Sequence, residues 1–153
     1  MKITFVGHSK LCQKKFLFND IVANILANVE KTEKITFYCG GYGDFDDLCL
    51  RACHLIRKNG FDCEIGFVTP YITFSQQKKI NALLQSKVYD FSIYPPIENV
   101  PYRLAIIKRN EWMIDNADLI ISYVKFNCGG AYKTLQYARK NGKSIVNLAE
   151  SLA

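Results

Sequence analysis

Residues 117–135 read Ala-Asp-Leu-Ile-Ile-Ser-Tyr-Val-Lys-Phe-Asn-Cys-Gly-Gly-Ala-Tyr-Lys-Thr-Leu. Asp118 to Val124 is an apolar run of strand length, rich in β-branched and aromatic side chains. Polar residues follow, then Gly129-Gly130. Beyond the glycines Tyr132, Leu135, Gln136, Tyr137 and Ala138 fall into a helical pattern that runs to Lys140. Strand, glycine-rich turn and helix build a phosphate-binding corner, because glycines let the backbone approach an anion and the free N–H groups of the helix start point at it. A second corner lies upstream, where a strand over Lys34–Cys39 meets Gly40-Gly41-Tyr42-Gly43-Asp44 and then a helix.

Working outward, strands and helices alternate along the whole chain. Residues 2–7 form a first strand ending at Gly7-His8-Ser9. A helix follows from Gln13 to Val29, with Phe16, Leu17, Ile21, Ile25, Leu26 and Val29 at helical spacing. The helix after the second strand runs from Asp44 to Asn59. Asp44, Asp46 and Asp47 crowd its first turn, where carboxylates suit the dipole, and Asn59-Gly60 ends it. Cys63–Thr69 is a strand, residues 73–86 a polar helix or lid, and Val88–Ile93 a short strand. Pro101 opens a helix to Asn116, since its missing N–H costs nothing there. Ser144–Leu148 is the last strand. The alternation predicts an α/β, Rossmann-like three-layer sandwich with a mostly parallel sheet, as one unit over residues 1–153. Ligands of such sheets bind beyond the carboxyl ends of the strands. There the order of elements gathers Gly7-His8-Ser9, Gly40 to Asp46, Thr69-Pro70-Tyr71 and Asn127 to Thr134.

Composition narrows the classes. Hydrophobic residues make up 49% and charged residues 22%, the balance of a soluble globular protein. No apolar run is long enough for a membrane span, and the N-terminus reads as a strand rather than a signal peptide. The six cysteines form no Cys-x-x-Cys pair and there are only two histidines, which argues against a metal site. The cysteines are expected to be reduced and the protein cytoplasmic. The net charge of +6 is spread over scattered lysines and arginines, with no basic stripe interleaved with aromatics. Nucleic acid is therefore not the expected partner; a phosphorylated small molecule is.

The candidate side chains divide by role. Gly129, Gly130, Ala131, Tyr132, Lys133 and Thr134 form the phosphate corner, with Lys133 as an added point charge. The aspartates beside Gly40, Gly41, Tyr42 and Gly43 repel phosphate. Asp46 suits ribose hydroxyls, and Asp44 or Asp46 is a candidate catalytic carboxylate or simply a helix cap. His8 is either a general base or a hydrogen-bonded structural histidine. Arg109 either reaches a ligand or pairs with Glu111 or Asp115, with Arg103 as its substitute. The helix 101–116 is apolar on more than one side, which predicts a homodimer or a higher even-numbered assembly.

These motifs resemble the SLOG superfamily, which gathers the Lonely Guy phosphoribohydrolases, DprA-like Rossmann domains and nucleotide-signal sensors. Gly7-His8-Ser9 resembles the Gly-Ser-Ser turn of the Lonely Guy enzymes, and Arg109 with Met113 their Arg-Lys-x-x-Met helix. Gly129-Gly130-Ala131-Tyr132-Lys133-Thr134 resembles their Pro-Gly-Gly-x-Gly-Thr loop. Cys128 stands in place of the proline, Tyr132-Lys133 in place of one glycine, and Gln136 where the enzymes carry a glutamate. The sequence Cys39 to Asp46, with Tyr94-Pro95-Pro96-Ile97-Glu98, is similar to a compact branch found in bacteria and their mobile elements. The resemblance implies a nucleotide-derived ligand, ADP-ribose-like or cyclic, sensed or sequestered in antiviral defence or counter-defence, with no cofactor. The alternatives it carries are a nucleoside 5′-monophosphate phosphoribohydrolase and, more weakly, a DprA-like partner of single-stranded DNA. Gln136 argues for binding over hydrolysis, because a glutamine neither takes a proton nor offsets oxocarbenium charge as a carboxylate does.

Overall fold

A computed structural model describes residues 1–151 of the chain; Leu152 and Ala153, the end of the expected unit, lie outside it. The strands are β1 (Lys2–Gly7), β2 (Ile35–Cys39), β3 (Cys63–Val68), β4 (Phe91–Ile93), β5 (Leu119–Tyr123) and β6 (Ser144–Asn147). They form one sheet in the order β4-β3-β2-β1-β5-β6, with every pair parallel. The helices are α1 (Lys14–Asn28), α2 (Gly43–Lys58), α3 (Phe74–Gln85), α4 (Ala105–Asp115), α5 (Gly130–Lys140) and a last turn, α6 (Leu148–Ser151). This is the expected Rossmann-like α/β architecture. Among the described residues no helix is long and apolar enough to cross a membrane.

The period-two alternation of the strands explains the layers. Ile3 and Phe5 of β1, with Ile35 and Phe37 of β2, join Leu17, Ile21 and Ile25 of α1 and the buried face of α2 in one core. Val6 of β1 and Ile120 of β5 point the other way, onto Ile114 of α4 and Leu135 and Ala138 of α5. The strand order turns back at the β1–β5 pair, whose register runs from Ile3↔Leu119 to Gly7↔Tyr123. The crevice beyond that pair is where a doubly wound sheet offers a ligand site. Buried Asn147 extends the ladder there: its side chain accepts from Val124 N–H at 3.0 Å and donates to Val124 C=O at 3.1 Å, which steadies the chain entering the glycine corner.

Several element ends differ from the sequence expectation. Pro101 opens a 3₁₀ turn, Tyr102–Leu104, closed by Leu104 N–H to Pro101 C=O at 2.8 Å, and α4 starts only after it. β4 is shorter than Val88–Ile93, because Val88 and Tyr89 donate to Leu83 C=O and finish α3 instead of joining the ladder. The last strand stops at Asn147, and Leu148 begins α6. Phe16 and Leu26 were placed on the buried stripe of the first helix; both are exposed.

The two glycine corners differ in how much space surrounds them. A Cβ on Gly7 would lie 2.2 Å from the Phe45 ring, and one on Gly43, at φ +91°, 2.6 Å from Ser9 Cα. Neither Gly129, at φ +90°, nor Gly130 has any atom within 4 Å of an added Cβ. Gly7→Ala is therefore expected to cost about 1–3 kcal/mol by overpacking. Gly130→Ala should stay within about 0.5 kcal/mol of wild type. Urea unfolding midpoints of the two variants check this.

Candidate functional site

A cavity of about 420 Å³ opens at the carboxyl edge of the sheet, between the end of β1, the start of α2, α4 and the Gly129–Gly130 corner. Its walls bring together Gly7, His8 and Ser9 from the first turn, Tyr42 and Asp46 from the second corner, and Arg109 from α4. Gly129, Gly130, Ala131 and Thr134 complete it. Gly40, Gly41, Gly43, Tyr132 and Lys133 do not line it. Lys133 is exposed, and its backbone N–H donates to Gly129 C=O at 3.1 Å. Thr134 turns its hydroxyl back to Gly130 C=O at 3.0 Å.

The second corner is filled by its own chain. The first N–H groups of α2 are taken by the turn after β1: Asp44 N–H donates to Ser9 C=O at 2.8 Å and Phe45 N–H to His8 C=O at 3.4 Å. Tyr42 N–H donates to Asp46 Oδ2 at 3.0 Å. Asp44 is spent on the same turn, accepting from Leu11 N–H at 2.9 Å and pairing with Lys14 at 3.4 Å. Those contacts hold its carboxyl below the ordinary range, the Leu11 hydrogen bond most of all. As a candidate catalytic carboxylate Asp44 is thus out of place, and Asp47 pairs outward with Arg51. The α5 corner is the opposite case. No side chain caps α5, and the space over Gly129 and Gly130 is open. Main-chain N–H groups facing such a space suit an anion.

Asp46 is the carboxyl that the cavity retains. Burial pushes it up to about 6, against the pull of the Tyr42 N–H and of the Arg109 charge. Arg109 itself is 4% exposed and works as a strut. Its Nη1 donates to Gly40 C=O at 3.0 Å and Val68 C=O at 2.7 Å, and its Nε donates to Asn110 Oδ1 at 2.8 Å. The ion pairs weighed for it do not form, since Glu111 is taken by Lys108 and Asp115 by the Tyr137 hydroxyl. His8 accepts from Lys125 N–H through Nε2 at 2.9 Å, and burial lowers its pKa. Its proton therefore sits on Nδ1 and its lone pair is engaged, so a general-base role gives way to a structural one. Its ring faces Phe126 at 5.2 Å.

Phe126, Asn110 and Ile106 line the cavity and were not among the candidate ligand residues, and Cys128, noted only for standing in place of a proline, lines it as well. Phe126 had a usable signal, an aromatic just past a strand end. Ile106, on the apolar helix 101–116, is 41% exposed and forms part of that wall. Tyr71, also grouped with the candidate features, stacks on Tyr102 at 4.6 Å and is not part of the wall.

No family model and no curated protein sequence matches the chain. Among solved structures it is similar to DNA processing protein A from Helicobacter pylori, described for its single-stranded DNA binding mode. That match has a TM-score of 0.61 at 16% identity and covers 95% of this chain and 63% of the other. It is also similar to DNA processing protein A (DprA) from Streptococcus pneumoniae, with a TM-score of 0.61 at 16% identity, covering 94% and 48% respectively. The chain thus spans less than two thirds of either protein, and the likeness is one of fold. It corrects one expectation. Nucleic acid was set aside for want of a basic stripe, yet a structural neighbour binds single-stranded DNA. Main-chain N–H groups can hold phosphate without lysines, so the want of a basic stripe does not set nucleic acid aside.

Two outcomes are expected. Arg109→Met leaves the Gly40 and Val68 carbonyls without their donor, at about 1–3 kcal/mol each, read as a lowered urea midpoint. Asp46 binds its proton more tightly folded than unfolded. Its stabilising contribution is complete below the unfolded value of about 3.9 and is lost as pH rises through about 6. The stability of wild type relative to Asp46→Asn should accordingly fall between about pH 4 and 7. A flat difference in denaturation midpoints would mean an ordinary carboxyl.

Proposed function

We propose that this chain is a SLOG-type protein that binds a nucleotide-derived small molecule at the carboxyl edge of its sheet and holds it intact. The observation that carries this reading is the uncapped, open main-chain corner at Gly129–Gly130, set in the wall of the 420 Å³ cavity at the point where the strand order reverses. The phosphate sits over the first N–H groups of α5, where backbone dipoles and the helix end favour negative charge. Asp46 faces the same space and accepts ribose hydroxyls when ionised, away from the phosphate. Tyr42, 70% exposed, and Phe126 offer apolar faces to a base.

Binding without cleavage is supported by Gln136, which carries no carboxylate where the enzymes that the chain resembles carry a glutamate. A hydrolytic reading draws on a single feature, the Asp46 carboxyl with its pKa near neutrality, which could pass a proton to a leaving base.

Calorimetric titration with AMP tests the site, and mass spectrometry of the recovered ligand tests its fate. Gly130→Leu has room to fold but fills the phosphate space, so it should weaken binding by about tenfold or more, whereas Gln136→Ala should bind like wild type. AMP should be recovered unchanged. Wild-type affinity in the Gly130 variant would remove the phosphate from this corner, and free adenine in the recovered material would turn the binder into a hydrolase.

A further inference from the structure

A second and larger cavity, about 920 Å³, lies on the other side of the same crevice. Its walls come from the loop before α1, the α1 residues Phe16 and Asn19, the stretch after β5 and the turn α6. The two cavities share His8, Lys10 and Phe126. They therefore meet over the end of β1, one on the α1 side of the sheet and the other on the α4–α5 side. Each is within the size range that encloses a small ligand. A single nucleotide seated at the Gly129–Gly130 corner would fill one and leave its larger neighbour vacant.

The larger cavity carries its own set of groups for a nucleotide unit. Phe16 is 71% exposed and Phe126 59% exposed, large aromatic faces that are costly to leave in water and suited to stacking a base. Lys10 lines both cavities and Lys125 the larger one, which sets positive charge along the path between them. Asp20 and Glu150 also line the larger cavity, Glu150 held by Arg139, and these carboxylates suit hydroxyl and amino groups rather than phosphate. The dividing wall is built rather than incidental. His8 accepts the Lys125 N–H at 2.9 Å and lies against the Phe126 ring, so the residue just after β1 fixes the loop that separates the two spaces.

From this juxtaposition we infer that the ligand is two nucleotide units joined through phosphate. One unit lies in each cavity, the linking phosphate passes Lys10, and Phe126 stacks at the divide. The inference rests on the nucleotide reading of the smaller cavity and adds its neighbour. Two sources share this chemistry, a free dinucleotide and the 5′ end of a single strand.

The cysteines provide the measurement. Cys128 lines the smaller cavity and Cys12 the larger, and both are exposed. Cys39, Cys49 and Cys53 are buried, and burial pushes the Cys63 thiol up to about 11, so alkylation reports chiefly on the two cavity thiols. Rates of iodoacetamide labelling at each cysteine would be followed by mass spectrometry with AMP, with 5′-phosphorylated ApA and with a 5′-phosphorylated oligoadenylate of twelve units. AMP should protect Cys128 alone. Phosphorylated ApA should protect both thiols and bind at least about tenfold more tightly than AMP, because the second unit binds as part of the first. Phe16→Ala, which touches only the larger cavity, should lose roughly tenfold in ApA affinity while keeping AMP affinity within about threefold. Equal affinity for the dimer and the oligomer identifies a free dinucleotide; a further gain with length identifies a strand. Protection of Cys128 with no slowing at Cys12 by either longer ligand overturns the two-unit inference and leaves the one-nucleotide site standing. Absence of protection at Cys128 by all three overturns the nucleotide reading itself, and the inference with it.

Discussion

The carboxyl edge depends on one buried cation. Parallel strands end in carbonyl groups that the ladder no longer pairs, and a cavity stays open beside them. Arg109 reconciles the two demands. It reaches across from α4 and donates to the carbonyls of Gly40 and Val68, joining the ends of β2 and β3 to the helix layer. Burial draws its pKa down and the Asp46 charge nearby opposes the loss. Its direct hydrogen bonds go to neutral oxygens. A carboxylate in ion-pair contact would close the space, while carbonyls satisfy the donors and leave Asp46 facing the cavity.

The two glycine corners show how far local sequence carries. Both read as strand, glycines, helix, and both fold so. What differs is what comes back to cover them. The turn after β1 lies on the α2 start, supplying Ser9 and His8 carbonyls to its N–H groups. At the α5 start, among the described residues, no side chain caps the helix and no atom comes within 4 Å of a Cβ added at Gly129 or Gly130. That distinction is tertiary: the glycines of the closed corner are required by Phe67 against Gly41 and Ser9 against Gly43, residues distant in the chain. Strand positions were legible because alternation and β-branching are local, and so were the layers. Element ends such as Leu83 closing α3 were not, because a backbone acceptor leaves no mark in the side chains.

Site residues follow the same rule. Gly129, Gly130 and His8 could be placed at the edge from element order alone. Their roles could not. His8 suggested a base from its chemistry, and only the fold reveals that its lone pair is engaged by Lys125. Arg109 suggested a ligand contact; the fold has it line the cavity and also hold strand ends together. Asp44 and Asp46 are two positions apart on one helical turn, and the fold pulls them in opposite directions: one carboxyl is fixed in its charged form by Leu11 and Lys14, the other is pressed toward neutrality by burial.

A corner whose donors are main-chain N–H groups is inherited differently from one made of side chains. Every residue but proline offers the same donor, so the codons for 131 to 134 can drift while the anion contact persists, provided a helix still begins there and the glycines stay open. For the proposed site, a change of ligand would fall on the rim, at positions such as Tyr42 and Phe126, where a substitution leaves the main-chain donors untouched.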